Sequence, residues 1–296
     1  MEAALGIDLG GTNARAALVT RDGRILAQHR ETLTDRTPEG AVASVVAAAQ
    51  ICLAAAQGAE VAACGIGVAG QLREGTVVMA PNLGWANVPL RKLLETKLER
   101  RVLVRNDLSC AAWGEYRAGA GRGQTDTFTV FVGSGIGSAV IANGKLVEGN
   151  AGVAGEFGHT KVLLQGGRLC GCGETGCLEA YAGGHNLTKW MAEEGLSGTP
   201  ADLERLALEG HGTAHGIYEF AVGSLALAIA NQVTLLNPGA LVLGGGVLFN
   251  CPGMVRSIFG VVEQRSAKVA RTGLRKIMAE LKDDAGIVGA ALLSFA

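Results

Sequence analysis

Residues 8–13 read Asp8-Leu9-Gly10-Gly11-Thr12-Asn13 and stand between two apolar runs, 3–9 and 14–20. Asp22-Gly23 is a hairpin turn signal, and a third run follows at 24–29. The chain is therefore expected to open as three antiparallel strands, with a Gly turn between the first two. Gly10 and Gly11 carry no side chains, so backbone N–H groups there can face phosphate oxygens. The Thr12 hydroxyl adds a donor, and Asp8 at the strand end can hold Mg²⁺, directly or through water. A Gly-Gly hairpin is common, and taken alone this stretch is also read as a tight turn with no ligand.

The same pattern returns in the second half. Residues 127–132 read as a strand, Gly133-Ser134-Gly135-Ile136-Gly137 as a Gly turn, 138–142 as a strand and Asn143-Gly144-Lys145 as a hairpin turn. Strand, Gly turn, strand, (Asp/Asn)-Gly-(Arg/Lys), strand thus occurs twice. A duplicated α/β domain with one phosphate hairpin on each half would clamp a nucleotide from both sides. At 296 residues the chain is long for a single core, which also favours two domains. The expected division is 1–117 plus 284–296 against 118–283.

Between the hairpins, residues 38–57 read as an Ala/Val-rich helix with Thr37 as N-cap and Pro38 at its first position. A strand at 64–68 runs into Ala69-Gly70-Gln71, and Asn82-Leu83-Gly84-Trp85 follows Pro81 in a loop. A helix at 89–99 leads to a strand at 102–104, with Arg105-Asn106-Asp107 at its carboxyl end before a helix at 108–117. Open α/β sheets bind ligands beyond such strand ends, so Asp107 is a general-base candidate. The alternative is that Asp107 only caps the next helix.

In the second half, helices are expected at 186–194, 201–208 and 213–236, and a buried strand at 240–243. Gly244-Gly245-Gly246 then opens the next helix, where bare backbone can lie flat against an adenine ring or a ribose; plain helix–strand packing is the other reading. His211 and His215 lack a third ligand and read as exposed residues. The closing helix, 285–295, is expected to pack back on the first domain.

A metal centre is written into Glu156-Phe157-Gly158-His159 and Cys170-Gly171-Cys172-Gly173-Glu174-Thr175-Gly176-Cys177-Leu178-Glu179. One imidazole and three thiols fit tetrahedral Zn²⁺, and four protein ligands leave no open position for water. The expected zinc ligands are His159, Cys170, Cys172 and Cys177, and the metal is read as structural, pinning the loop that carries Glu156 and Glu179. Small core cysteines or a redox disulfide are the alternatives, although a Cys170–Cys172 bridge would be strained.

Composition narrows the class. With 48% hydrophobic and 18% charged residues the chain is expected to be globular. Lys and Arg number 26 against 27 Asp and Glu, which gives no general pull toward nucleic acid or an anionic membrane. Cys52, Cys64, Cys110 and Cys251 lie in apolar contexts and are expected to be buried free thiols, suiting a reducing cytoplasm. The N-terminus shows no basic region or cleavage site. Residues 220–236, interrupted by Asn231, Gln232 and Thr234, read as a core helix rather than a span of ~20 apolar residues.

Taken together these motifs resemble the ROK family (repressors, open reading frames and kinases), within the sugar-kinase and actin-like ATPase fold. Asp8-Leu9-Gly10-Gly11-Thr12 is similar to that family's first phosphate loop, 133–137 to its second, and Asn237-Pro238 with Gly244-Gly245-Gly246-Val247 to its adenosine side. Glu-x-Gly-His and Cys-x-Cys-Gly-x-x-Gly-Cys are the most specific matches. The resemblance implies a two-domain actin-like, ribonuclease H-like α/β fold with mixed sheets and an interdomain cleft. It implies ATP, Mg²⁺ and structural Zn²⁺ as cofactors, a homodimer, and phosphoryl transfer to the 6-hydroxyl of a hexose, glucose first. It makes Asp107 the catalytic base and places Gly70, Asn82, Asn106, Glu156, His159 and Glu179 at the sugar, His159 serving zinc through its other ring nitrogen. Asp8, Gly10, Gly11, Thr12, Asn13, Gly133, Ser134, Gly135, Gly137 and Gly244–Gly246 would hold the nucleotide.

Members often have Pro-Gly where this chain has Ala69-Gly70, near the sugar, and Thr where it has Ser134, which keeps the hydroxyl. Kinases for mannose, fructose, allose, N-acetylglucosamine and N-acetylmannosamine share these motifs, and polyphosphate is an alternative donor. A sugar-sensing repressor is a rival reading, but Ile7-Asp8 arrives almost at once, leaving no helix-turn-helix ahead of it. A chaperone-like ATPase would share the hairpins without needing the Cys cluster.

Overall fold

The computed structural model of the chain describes residues 1–56 and 58–295. It falls into two compact units, Met1–Gly123 with Lys145–Ala154 and Glu280–Ala296, and Gln124–Gly144 with Gly155–Ala279. The first unit opens as the turn signals imply: β1 (Glu2–Leu9), β2 (Asn13–Thr20) and β3 (Ile25–Thr32) form an antiparallel meander. Helix α1 (Pro38–Ala54) then carries the chain to β4 (Glu60–Val68), parallel to β1. Its start is set by local chemistry, since Thr37 Oγ1 accepts the Gly40 N–H at 3.2 Å and Pro38 takes the first helical position. The helix stops at Ala54, short of the expected 57, and Gln57 lies outside the described residues.

Three short strands, β5 (Gln71–Arg73), β6 (Thr76–Ala80) and β7 (Trp85–Val88), make a separate antiparallel sheet. Only a loop was expected at 82–85; Trp85 instead begins a strand. Helix α2 (Leu90–Leu98) leads to β8 (Leu103–Asn106), parallel to β4, and α3 (Asp107–Ala118) follows. The main sheet of this unit has the order β3-β2-β1-β4-β8.

The second sheet repeats that order. Strands β9 (Thr127–Val132) and β10 (Ile136–Ala142) form an antiparallel hairpin, with β11 (Lys145–Leu146) at the edge. Helices α4 (Glu179–Ala182), α5 (Gly184–Glu193), α6 (Pro200–Leu208) and α7 (Gly212–Leu236) come before β12 (Ala240–Gly244). Then follow α8 (Gly246–Asn250), α9 (Pro252–Arg265), α10 (Lys268–Arg271) and β13 (Arg275–Met278). Strand β12 lies parallel to both β9 and β13, so the order is β11-β10-β9-β12-β13. Each sheet therefore runs third, second, first, fourth, fifth in its own chain order, with the same senses of pairing among its first, second, fourth and fifth strands. The duplication seen in the Gly hairpins extends to the whole topology.

Packing follows from the apolar runs. Leu5, Ile7 and Leu9 are fully buried in one cluster with Val42, Val45 and Ala48 of α1. Burying each such Leu or Ile contributes about 1.5–3 kcal/mol. Helix α7 is long and apolar enough to cross a membrane, but Ala214, Ile217, Ala221, Leu225 and Ile229 lie fully or almost fully buried in the core of the second unit. It packs there against α6 and α9.

The last helix, α11 (Ala285–Ser294), lies on β1, β4 and α3 of the first unit, where it was expected. Backbone contact demands Gly here. A side chain at Gly65 would run into the Ala290 carbonyl, and one at Gly289 into the Cys110 carbonyl. The segment entering α11 is fastened by Glu115, fully buried near the end of α3. Its carboxylate accepts the N–H groups of Ala120 at 2.9 Å, Glu280 at 3.0 Å and Leu281 at 2.7 Å.

Candidate functional site

In the first unit, parallel pairing aligns Asp8 with Gly67 and Gly67 with Arg105. Beyond that row, at the carboxyl ends of β1, β4 and β8, the chain turns at Gly10-Gly11, at Gly70 and at Asn106-Asp107. The first turn is tight, with the Gly10 N–H donating to the Asn13 carbonyl at 3.0 Å. A methyl group on Gly11 would lie 3.1 Å from the Asn82 carbonyl oxygen, so the Asn82 loop abuts the hairpin. Thr12 is exposed, and its hydroxyl accepts from Asn13 Nδ2 at 3.0 Å.

Asp8 is half-buried, and that burial pushes its carboxyl above the usual carboxylate range, against the pull of Arg15 and Arg30. Arg15, its cross-strand partner, also pairs with Asp284 at 2.7 Å. Sequence reasoning passed over Arg15, which lies mid-strand with no motif to mark it.

Asn106 and Asp107 divide their work in a way the sequence does not show. Asn106 is the N-cap of α3: its Oδ1 accepts the Leu108 N–H at 3.0 Å and the Ser109 N–H at 3.2 Å. Its Nδ2 donates to the Gly70 carbonyl at 3.3 Å, tying two of the candidate residues together. Asp107 is the first residue inside the helix. The reading of Asp107 as a cap is therefore corrected, because the capping oxygen belongs to its neighbour.

In the second unit the Gly turn joins β9 to β10 and is braced from two sides. The Gly184 N–H donates to the Gly133 carbonyl and the His185 N–H to the Ser134 carbonyl, both at 2.9 Å. Gly183-Gly184 was not singled out from sequence, although two consecutive Gly so close to Glu179 were a usable signal. Gly245 has φ +94° and sits so close to β9 that a side chain there would strike the Val132 carbonyl. The Gly244–Gly246 segment is thereby held against the end of β9, next to the turn. Glu179, at the start of α4, reaches the same place, its Oε2 accepting the Ile136 N–H at 2.7 Å.

The His/Cys set gathers beside it. His159, Cys170, Cys172 and Cys177 each present one ligand atom, all within 4.8 Å of one another. His159 Nδ1 lies 3.7 Å from Cys170 Sγ, and Cys172 Sγ lies 3.7 Å from Cys177 Sγ. A tetrahedron with Zn–S bonds of about 2.3 Å has edges of about 3.8 Å, so these spacings fit zinc. All seven cysteines are free. Burial pushes the Cys170 thiol up to about 12, so a cation must displace its proton on binding.

The other ring nitrogen, His159 Nε2, faces Glu156 Oε2 at 3.5 Å. Glu179 Oε1 is 3.9 Å from Cys170 Sγ. The centre is thus contiguous with Glu156, Glu179 and the Gly turn. His211 and His215 take no part: both are exposed at the start of α7, where His211 Nδ1 accepts the Ala214 N–H at 3.4 Å.

Comparison with known proteins agrees with this topology and these motifs. A glucokinase of Streptomyces coelicolor is 35% identical over 264 residues, 82% of this chain and 81% of the relative. An N-acetylmannosamine kinase of Escherichia coli is 34% identical over 297 residues, 98% of this chain and 97% of that one. The crystal structure of a ROK family glucokinase from Streptomyces griseus, in complex with glucose and AMPPNP, superposes with a TM-score of 0.79 at 32% identity, covering 99% of both chains. The fold is accordingly the two-domain, actin-like α/β fold. With the ROK family model matching residues 4–296, and the duplicated hairpins and the Cys₃His centre in place, this chain belongs to the ROK family.

Proposed function

We propose that the chain is an ATP-dependent kinase that phosphorylates the 6-hydroxyl of a hexose, with glucose as its preferred substrate. The observation that carries this reading is the row Asp8, Gly67, Arg105, beyond which the phosphate hairpin, Gly70 and Asn106-Asp107 leave the carboxyl ends of adjacent parallel strands. Phosphoryl transfer requires the phosphate binder and the base to sit side by side, because the protein mainly positions reactants and stabilises charge. Relatives that are glucokinases, one solved with glucose and an ATP analogue, support the substrate pair.

In this reading Asp107 accepts the proton of the 6-hydroxyl as its oxygen attacks the γ-phosphorus. Asn106 orients Asp107 by starting α3 and offers its remaining amide N–H to the sugar. Asn82 binds sugar beside the hairpin, while Glu156, His159 Nε2 and Glu179 accept or donate to further hydroxyls. Backbone N–H groups of 10–13 and 133–137 hold the phosphates, and Gly244–Gly246 lies along the adenosine. Mg²⁺ held through Asp8 would neutralise phosphate charge, and a nearby cation would keep that buried carboxyl ionised. Zinc orders the loop between Glu156 and Glu179 and takes no part in the transfer.

A second reading, an N-acetylmannosamine kinase, is supported by the Escherichia coli relative, 34% identical over 98% of the chain. A coupled assay across glucose, mannose, fructose, N-acetylglucosamine and N-acetylmannosamine separates the two. Glucose is expected to give the highest kcat/KM, by at least about tenfold, the scale set by one well-formed polar contact. A higher value for N-acetylmannosamine would reverse the order of the two readings.

A further inference from the structure

Lys161 lies outside every motif that marks the site, yet its ammonium group is 3.2 Å from Cys177 Sγ. Two features hold it there. Lys161 and Cys177 face each other in an antiparallel bridge, flanked by Val162 N–H to Gly176 carbonyl and Leu178 N–H to Thr160 carbonyl, both at 2.9 Å. The ammonium group also donates to the Thr175 carbonyl at 3.0 Å and has Glu174 Oε2 at 3.6 Å. The residue is thus placed by backbone pairing, and its charge is aimed at one sulfur.

We propose that Lys161 is a positioning residue for the metal: it donates a charge-assisted hydrogen bond to the Cys177 thiolate and holds zinc in the loop. Three thiolates, a neutral imidazole and Zn²⁺ sum to one negative charge, and a cation at 3.2 Å stabilises that loaded centre. The same bond lowers the electron density that Cys177 offers to alkylating or oxidising reagents. Bonds of this outer kind are worth ~10–100-fold in metal affinity, and the half-exposed Lys161 belongs at the lower end.

The inference rests on the zinc reading, so the test begins with metal content. Wild type, Lys161→Gln and Lys161→Arg are purified without chelator, and zinc is counted and then titrated away with a chromogenic chelator. One zinc per chain is expected in wild type. Lys161→Gln, which keeps a neutral donor for the Thr175 carbonyl, should bind zinc about tenfold more weakly, and Lys161→Arg should restore most of the loss. Retention by Lys161→Gln at the wild-type level would overturn the role of Lys161 and leave the zinc centre standing. A zinc-free wild type would overturn both.

Discussion

Replacing Asp107 by Asn should lower kcat by ~10²–10⁴-fold, the usual loss for a positioned general base, while sugar binding changes little. The expectation follows from the division of labour at the start of α3. Asn106 supplies the capping oxygen, so Asp107→Asn leaves the helix start and its Gly70 contact in place. The substitution is nearly isosteric and takes away the carboxylate that would accept the proton. Steady-state kinetics together with sugar titration by calorimetry read the two quantities separately. A variant that keeps a tenth of wild-type turnover would remove Asp107 from the role of base. Asn106→Ala should behave differently: it loses the cap, at about 1 kcal/mol, as well as orientation, so stability falls with rate.

The second large effect is expected at the metal. Replacing Cys177 by Ser takes away one ligand, and with it the cross-link between the 159–162 and 175–178 segments. Metal loss is among the few changes that exceed about 4 kcal/mol. About 1 kcal/mol moves the midpoint of a 150–250-residue domain by roughly 2–4 °C, so Tm should fall by about 10 °C or more. The sugar KM should rise as well, because Glu156 and Glu179 lie at the two ends of the ordered segment. Calorimetry before and after chelation of wild type should give the same shift as the variant. An unchanged Tm with zinc demonstrably removed would mean that the loop holds its shape without metal.

Much of this architecture is legible in the chain because it is encoded locally. A Gly turn between apolar runs and an Asx-Gly hairpin are short-range signals, and both occur twice, in the two places where the sheets repeat. The Cys₃His set is legible for a similar reason: ligand spacing reports directly on a shared metal. The final helix is legible as an apolar run, but its seat is written in Gly65 and Gly289, which look like any other Gly until the Ala290 and Cys110 carbonyls lie against them.

Other parts are hidden because their partners are distant. Helix α9 has no side-chain cap at Cys251-Pro252. Its first N–H groups go instead to Glu204, which accepts from Gly253 at 2.9 Å and Met254 at 2.7 Å and receives the Tyr218 hydroxyl at 2.9 Å. No local pattern announces a helix that is capped from another element. The strands β5 to β7 are short, and Glu74 and Asn87 take positive φ without a Gly to signal it. Asn106 and Asp107 are both good caps, and sequence does not say which one the helix uses. Lys161 has no motif at all; backbone pairing with Cys177 is what makes it part of the centre.

The reaction proposed for this ROK family chain is transfer of a phosphoryl group from ATP to a sugar 6-hydroxyl. The most direct test is phosphorus NMR of the products formed by purified protein with ATP, Mg²⁺ and glucose. Equimolar ADP and glucose 6-phosphate are expected, with no phosphoryl transfer to 6-deoxyglucose. ADP with free phosphate at equal rates with and without glucose, or a phosphate on another hydroxyl, would contradict it.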